Sequence, residues 1–133
     1  MPDRLSHYIL DDERQVVAVD LLTWARWFEI EKRRVAETST ALFWISTVFL
    51  GLDHQWGKGP PLLFETMIFE RSKVTKMGPV LDELDGEQWR YSTWDDAEAG
   101  HHATVKRVLR LEADAEKKAA MMARIRERIK GER

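Results

Sequence analysis

The sequence contains no cysteine, which excludes disulfides, thiolate zinc sites and cysteine nucleophiles. It also has no apolar run near the roughly 18 residues that a membrane span requires, and its first residues have no apolar signal core. We therefore expect a cytoplasmic protein that is neither exported nor embedded in a membrane. Of its 133 residues, 44% are hydrophobic and 33% are charged, which is typical of a folded domain rather than a disordered chain.

The net charge of −2 hides an uneven distribution along the chain. Residues 1 to 105, called the body here, carry 11 Lys and Arg against 18 Asp and Glu. Residues 106 to 133 carry 10 against 5. An acidic body argues against a nucleic-acid partner, because such a partner needs a basic face. The basic end and the acidic body attract each other, or the corresponding parts of other copies.

The first third of the chain predicts a β-hairpin followed by a helix. Ser6 to Leu10 and Gln15 to Val19 are short runs of β-favouring residues around a polar turn. Asp20 is a candidate N-cap for a helix from about Leu21 to Arg34, because the apolar residues there recur at helical spacing and basic residues suit the helix end.

The middle of the chain predicts two inner strands and a short third one. Leu42 to Leu50 and Leu62 to Phe69 are apolar on both faces, which is typical of strands covered on two sides. Gln88 to Tyr91 is the third strand. With the final helix described next, the element order is β-β-α-β-β-β-α. The fold class is therefore α+β, an antiparallel sheet packed with helices.

The last 40 residues predict one long helix. Thr93 opens it, and no proline interrupts the apolar pattern up to Lys130. Because such a helix would span some 50 Å, it either breaks near Glu112 to Asp114 or projects from the fold. Met122, Ile125 and Ile129 share one face, and a projecting apolar stripe is usually covered by another chain, so we expect a homo-oligomer. The expected domain organisation is a compact α+β domain over residues 1–111 with a basic helical extension over 112–133.

The loop from Gly51 to Pro61 is the first candidate for ligand binding. It joins the two inner strands and is too long and chemically mixed for a tight hairpin. Its polar and aromatic members are candidate contacts, since a Trp plane stacks on bases and a Lys holds phosphates. These candidates are Asp53, His54, Trp56 and Lys58.

A carboxylate inside an apolar strand is the second signal. Glu65 must pair with a cation, accept hydrogen bonds or face a cleft, unless it lies on a wetted face. His54, His101 or Arg90 would be its natural partner. His101 and His102 are adjacent on the predicted helix and so about 100° apart, which leaves one of them exposed.

Three stretches of the chain resemble one protein family. They are Ile45 to His54, Gly59 to Met67 and Arg90 to His101, and together they resemble a family of small uncharacterised proteins from bacteriophages, prophages and some bacteria. The resemblance covers most of residues 6 to 108. No activity is established for the family, so the resemblance implies a mobile-element gene and no reaction. By analogy of setting, small phage proteins without enzyme motifs often bind host factors, including immune-system components or their nucleotide messengers.

Two functional hypotheses of different classes follow. The first is a non-enzymatic phage-type binding protein, with a counter-defence role, that captures a small nucleotide-like ligand in a cleft. The cleft would combine the Gly51 to Pro61 loop, Glu65, Tyr91 and the start of the last helix, with Arg90, Trp94 and His101 as further contacts. The second is a protein-interaction module that docks on a host protein and inhibits it. A metal-dependent hydrolase using His54, Glu65 and His101 is a third alternative. The spacing of these residues matches no metal-ligand or catalytic signature, so we predict no cofactor, no metal site and no catalytic residue.

Overall fold

The computed structural model describes residues 7–55, 57–71 and 84–132. All the strands of the described chain pair in antiparallel fashion, β1 with β2 and then β3, β4, β5 and β6 in that order within a second sheet. The predicted α+β class with an antiparallel sheet is confirmed. The elements in chain order are β1 (His7–Leu10), β2 (Val16–Val19), α1 (Leu21–Ile30), β3 (Arg34–Ser39), β4 (Phe43–Phe49), β5 (Phe64–Glu70), β6 (Gln88–Tyr91) and α2 (Trp94–Gly131).

The first helix is shorter than predicted, and a strand follows it. The Asp20 carboxylate accepts the Thr23 backbone N–H at 2.7 Å, which confirms the predicted N-cap. The helix ends at Ile30 rather than Arg34, and Glu31 already has extended backbone. Arg34–Ser39 instead forms β3, which pairs with β4 and satisfies the backbone groups along that side of it. The predicted element order therefore lacked one strand.

The core lies between the larger sheet and α2. Along β4, alternate residues face the helix and bury their side chains against it, and β5 does the same. Among the described residues, the fully buried apolar side chains of the core are Phe43, Ile45, Phe49, Leu63, Phe64, Ile68, Leu84, Ala97 and Val108. The predicted inner strands are thus the two central strands of the sheet.

The second helix is continuous over its 38 residues. The Thr93 hydroxyl accepts the Asp96 backbone N–H at 3.1 Å, as predicted for the residue that opens this helix. At 1.5 Å per residue, α2 is about 57 Å long, and only its first part packs on the sheet, up to Ala115. Residues 116–132, called the tail from here on, are all exposed. Of the predicted alternatives, the helix projects and does not break. Within the described ranges, no helix is both long and apolar enough to pass through a membrane.

The hairpin and α1 pack at one end of the sheet, beside the first turn of α2. Tyr8 and Trp27 pack on the cluster around Phe49, and the Trp27 and Phe49 rings meet edge to face. Gly51, just after β4, has φ +73 and accepts the Tyr8 N–H at 2.9 Å through its carbonyl. A Cβ there would meet the indole nitrogen of Trp24, so glycine permits both the turn and this close packing.

The other face of the large sheet, called the open face from here on, points away from α2. Trp44 and Phe69 stack there with ring centroids 5.2 Å apart, and the Arg34 guanidinium lies 5.5 Å from the Trp44 ring. Phe69 is 36% exposed. This face also carries Glu65 and Met67, since both alternate with the buried β5 residues.

Candidate functional site

Two of the loop residues predicted as ligand contacts, Asp53 and His54, hold the loop together. The Asp53 carboxylate accepts the backbone N–H groups of Gln55 at 2.8 Å and Leu62 at 3.3 Å, a pattern that closes a turn. His54 is half-buried and donates its backbone N–H to the Leu62 carbonyl. Lys58 is exposed. Trp56 lies outside the described residues.

Glu65 forms an ion pair with a cationic side chain, as its position in an apolar strand predicted. It lies directly opposite Arg90 across the β5–β6 pair, and the Arg90 Nε donates to its carboxylate at 3.0 Å. The Glu65 side chain is only 12% exposed, so the guanidinium offsets the desolvation of a mostly buried charge. This pair belongs to the open face, whereas Thr66 beside it faces the helix.

His101 is buried on the helix side of the sheet, while His102 is exposed, as their angular separation on the helix predicted. The two His101 ring nitrogens lie 2.9 Å from the Thr38 hydroxyl and 2.8 Å from the Thr47 hydroxyl. Thr47 is in turn 2.5 Å from the Thr66 hydroxyl. Burial, and to a lesser degree the neighbouring His102, lowers the pKa of His101 below its usual 6.5. The ring is therefore neutral at pH 7 and satisfied on both sides.

The sheet separates the residues that a hydrolase would need. His101 and Glu65 lie on opposite faces, and His54 lies in the loop beyond the strand ends. Among the described residues, no three His, Asp or Glu side chains come together to hold a metal ion. Tyr91 is half-buried with its ring tip against Gly100 of α2, so it serves packing between β6 and the helix.

A cavity of about 680 Å³ lies between the β1–β2 turn and the start of α2, and we call it the hairpin–helix cleft. The hairpin wall is formed by residues 13–16, and the other wall by residues 92–96 together with Glu98. Of the predicted site residues that the structure describes, only Trp94 lines this cleft. The described part of the Gly51 to Pro61 loop does not border it, so the cleft differs in composition from the predicted one.

The hairpin–helix cleft combines an aromatic surface with a strongly acidic rim. The Arg14 guanidinium lies 4.4 Å from the centre of the Trp94 ring, and the Trp94 indole N–H donates to Glu98 at 3.1 Å. Among the described residues, four carboxylates line the cavity together with the Arg14 guanidinium. They belong to Glu13, Asp95, Asp96 and Glu98. The cleft is thus suited to a flat molecule that carries hydrogen-bond donors or positive charge.

The hairpin side of this cleft was missing from the sequence prediction, although a partial signal was present. Asp11 begins the polar turn, and its carboxylate accepts the N–H groups of Glu13 at 2.8 Å and Gln15 at 2.9 Å. Such a turn is predictable from an Asp at its first position. Arg14, however, has φ +63, and its side chain meets Trp94 from a part of the chain 80 residues away. Only the tertiary fold brings these two residues together.

Comparison of this chain with protein-family models, with curated proteins and with solved structures found no match.

Proposed function

We propose that the protein is a non-enzymatic binding protein that takes a small, flat ligand in the hairpin–helix cleft. The observation that carries this proposal is a cavity of about 680 Å³ with the Trp94 ring in its wall. Its volume lies within the range of about 300–1,000 Å³ that is usual for ligand pockets. Its lining, with Trp94 and Val16 among mostly polar and charged residues, is more polar than that of a typical pocket. The scattered positions of His54, Glu65 and His101 support binding rather than catalysis, because general acid–base chemistry needs such groups within reach of one substrate.

The lining favours a nucleobase-like ligand without phosphates. A base can replace the Arg14 guanidinium over Trp94, since aromatic planes stack on indole rings at about 1–3 kcal/mol per base. The exocyclic amino groups of a base donate hydrogen bonds, which the carboxylates of Asp95 and Asp96 can accept. A phosphate group would instead meet four carboxylates of its own sign. The nucleotide-like ligand expected from the sequence is thereby narrowed to a nucleoside-like one.

The biological setting forms part of the same proposal. The resemblance to phage and prophage proteins supports a counter-defence role, in which the protein would sequester a small messenger in the cytoplasm of the host cell. Sequestration requires binding without turnover and fits a protein that works in stoichiometric amounts. Self-association is also part of the proposal, because the tail exposes Met122, Ile125 and Ile129.

Calorimetric titration with adenosine and with adenosine monophosphate tests the proposed function. We expect heat of binding with adenosine and weaker binding with the monophosphate, because the phosphate meets the acidic rim. Trp94→Leu keeps an apolar side chain against Phe64 but removes the stacking plane, so adenosine should bind at least about tenfold more weakly. Trp89→Leu is the matched control, since Trp89 is a partly exposed tryptophan on β6 outside the cleft.

A second variant keeps the test independent of any packing defect in Trp94→Leu. Asp95→Asn combined with Asp96→Asn leaves the Thr93 cap intact, because that cap uses a backbone N–H. This double variant should narrow the preference for adenosine over the monophosphate. Equal losses in Trp89→Leu and Trp94→Leu, tighter binding of the monophosphate to the wild type, or no heat with either probe would each contradict the proposal.

A second candidate function uses the open face. The stacked pair of Trp44 and Phe69, with Met67 on the same face, forms a flat and partly exposed aromatic surface. Aromatic residues and methionine are enriched where proteins dock on each other. A protein-interaction module that inhibits a host protein would use this face, and a negative titration at the hairpin–helix cleft would leave it as the favoured function.

A further inference from the structure

One side-chain pattern runs through the whole of α2. Steps of four and three residues alternate without interruption, which is the spacing of a heptad seam. The first half of this seam is the face that α2 buries against the sheet. Its second half continues in the same register along the tail. The seam positions are Ala97, His101, Thr104, Val108, Leu111, Ala115, Lys118, Met122, Ile125 and Ile129.

The tail half of the seam has nothing under it among the described residues. Met122, Ile125 and Ile129 are 42%, 44% and 57% exposed. A surface that covers these three side chains removes apolar area from water, which favours association. The seam side chains are thus buried where α2 packs on the sheet but exposed over the last four turns of the helix.

Charge identifies the kind of surface that fits the tail. Residues 116–132 carry six Lys and Arg against three Asp and Glu, whereas the body carries 11 against 18. The tail is therefore attracted to a surface with the chemistry of this chain's own body. It cannot reach that body within its own chain, because α2 is one unbroken helix that carries the tail about 25 Å past the packed half.

We propose that the tail docks through Met122, Ile125 and Ile129 on the acidic body of a second copy of this chain. Reciprocal exchange of the two tails would give a closed dimer, in which each basic tail lies against the partner's negative charge. This inference rests on the self-association part of the proposed function, and it identifies the apolar face of the tail as the contact surface. It does not use the hairpin–helix cleft, so adenosine binding and dimerisation can fail separately.

Sedimentation of the full chain at two salt concentrations tests the tail. The wild type should sediment at twice the 15.6 kDa chain mass at about 50 mM salt, and should dissociate about tenfold more readily near 500 mM because salt screens the attraction. Ile125→Glu should sediment as a single chain, since it places a charge in the seam. Ala120→Glu is the matched control: it adds the same charge to the exposed helix surface opposite the seam, and should leave the mass unchanged.

The alternative occupants predict different results. A wild-type mass of 15.6 kDa at all concentrations would overturn the proposal. An assembly that tightens at high salt would indicate tail-to-tail pairing of like-charged helices and would also overturn it. Co-sedimentation of the single chain with phosphatidylserine vesicles, lost in Ile125→Glu, would assign the tail to an anionic membrane surface instead. At a salt and chain concentration where the wild type is also a single chain, circular dichroism melts should match in all variants, because Ile125 makes no packing contact with the described core.

Discussion

His101 is the most constrained polar residue of the fold. Its ring lies between α2 and the sheet with both nitrogens engaged by threonine hydroxyls, and it is 1% exposed. A protonated ring would need a hydrogen-bond acceptor at each ring nitrogen, in a site that is closed to bulk solvent. The threonine hydroxyls can accept as well as donate, but they carry no charge to offset that of an imidazolium. The fold therefore holds the neutral form of His101.

The stability of the protein should decrease as the pH is lowered, because of His101. The pKa of His101 lies below 6.5 in the folded protein, so the unfolded chain takes up a proton at a pH where the folded one does not. The free energy of unfolding is then fullest above about pH 6.5 and decreases as the pH falls towards the folded pKa, by at most about 1.4 kcal/mol per pH unit for one proton. Urea denaturation at intervals between pH 7.5 and pH 5 measures this slope.

Two histidine variants identify the source of that slope. His102→Asn changes the exposed neighbour and should keep most of the decrease. His101→Asn removes the titrating ring, so it should lower stability at pH 7 by about 1–3 kcal/mol but flatten the pH dependence. An unchanged slope in His101→Asn would show that other groups cause it.

For single residues, the sequence predicts which side chains need a polar partner better than it predicts which partner they have in the fold. The carboxylate of Glu65 in an apolar strand implied a cation, and Arg90 was one of three candidates. The adjacent pair of histidines implied one buried and one exposed ring. The threonines around His101 could not be foreseen, because Thr38, Thr47 and Thr66 come from three strands whose register only the fold defines.

At the scale of elements, β6 and α2 approach each other closely at Gly100. Gly100 faces the tip of the Tyr91 ring, and a Cβ at this position would overlap that ring. Glycine in a helix interior normally reduces stability by about 1 kcal/mol relative to alanine. Its presence here allows α2 to approach the sheet closely enough to bury Ala97 and His101 on either side of it.

Gly100→Ala should therefore destabilise the protein despite the better helix propensity of alanine. We expect a net loss of about 1–3 kcal/mol, because Tyr91 must move or the helix must shift away from β6. Thermal and urea denaturation measure the change. Gly131→Ala is the control within the same helix, since a Cβ there meets open space and should be neutral or stabilising. A stabilising Gly100→Ala would show that the ring yields at little cost.

The elements also show where periodicity misleads. The pattern from Leu21 continued far enough to predict a helix up to Arg34, yet α1 ends at Ile30. Val35 and Thr38 are β-branched, and the free side of β4 offers ladder hydrogen bonds, so pairing outweighed the local helical preference. The long apolar runs of β4 and β5 predicted their own central places, because both faces of each carried apolar residues.

The whole molecule divides into a packed part and an unsupported one. The sheet, hairpin, α1 and the first half of α2 share two adjoining clusters of buried side chains. The tail adds helix without core, and most helical stability in proteins comes from tertiary packing rather than from propensity. Local stability should therefore differ sharply along a helix that looks uniform in its backbone.

Amide hydrogen exchange in the Ile125→Glu variant tests this division, since that variant should be a single chain. Amides of α2 between Ala97 and Leu111 should be protected almost to the global unfolding free energy, because Val108 and His101 anchor them in the core. Amides of the tail should exchange faster by several orders of magnitude, limited only by fraying of an isolated helix. In the assembled wild type the tail should gain protection, because a second body then covers the seam. Equal protection of both halves in the variant would mean that the tail is covered within its own chain, and would leave no free surface for a second copy.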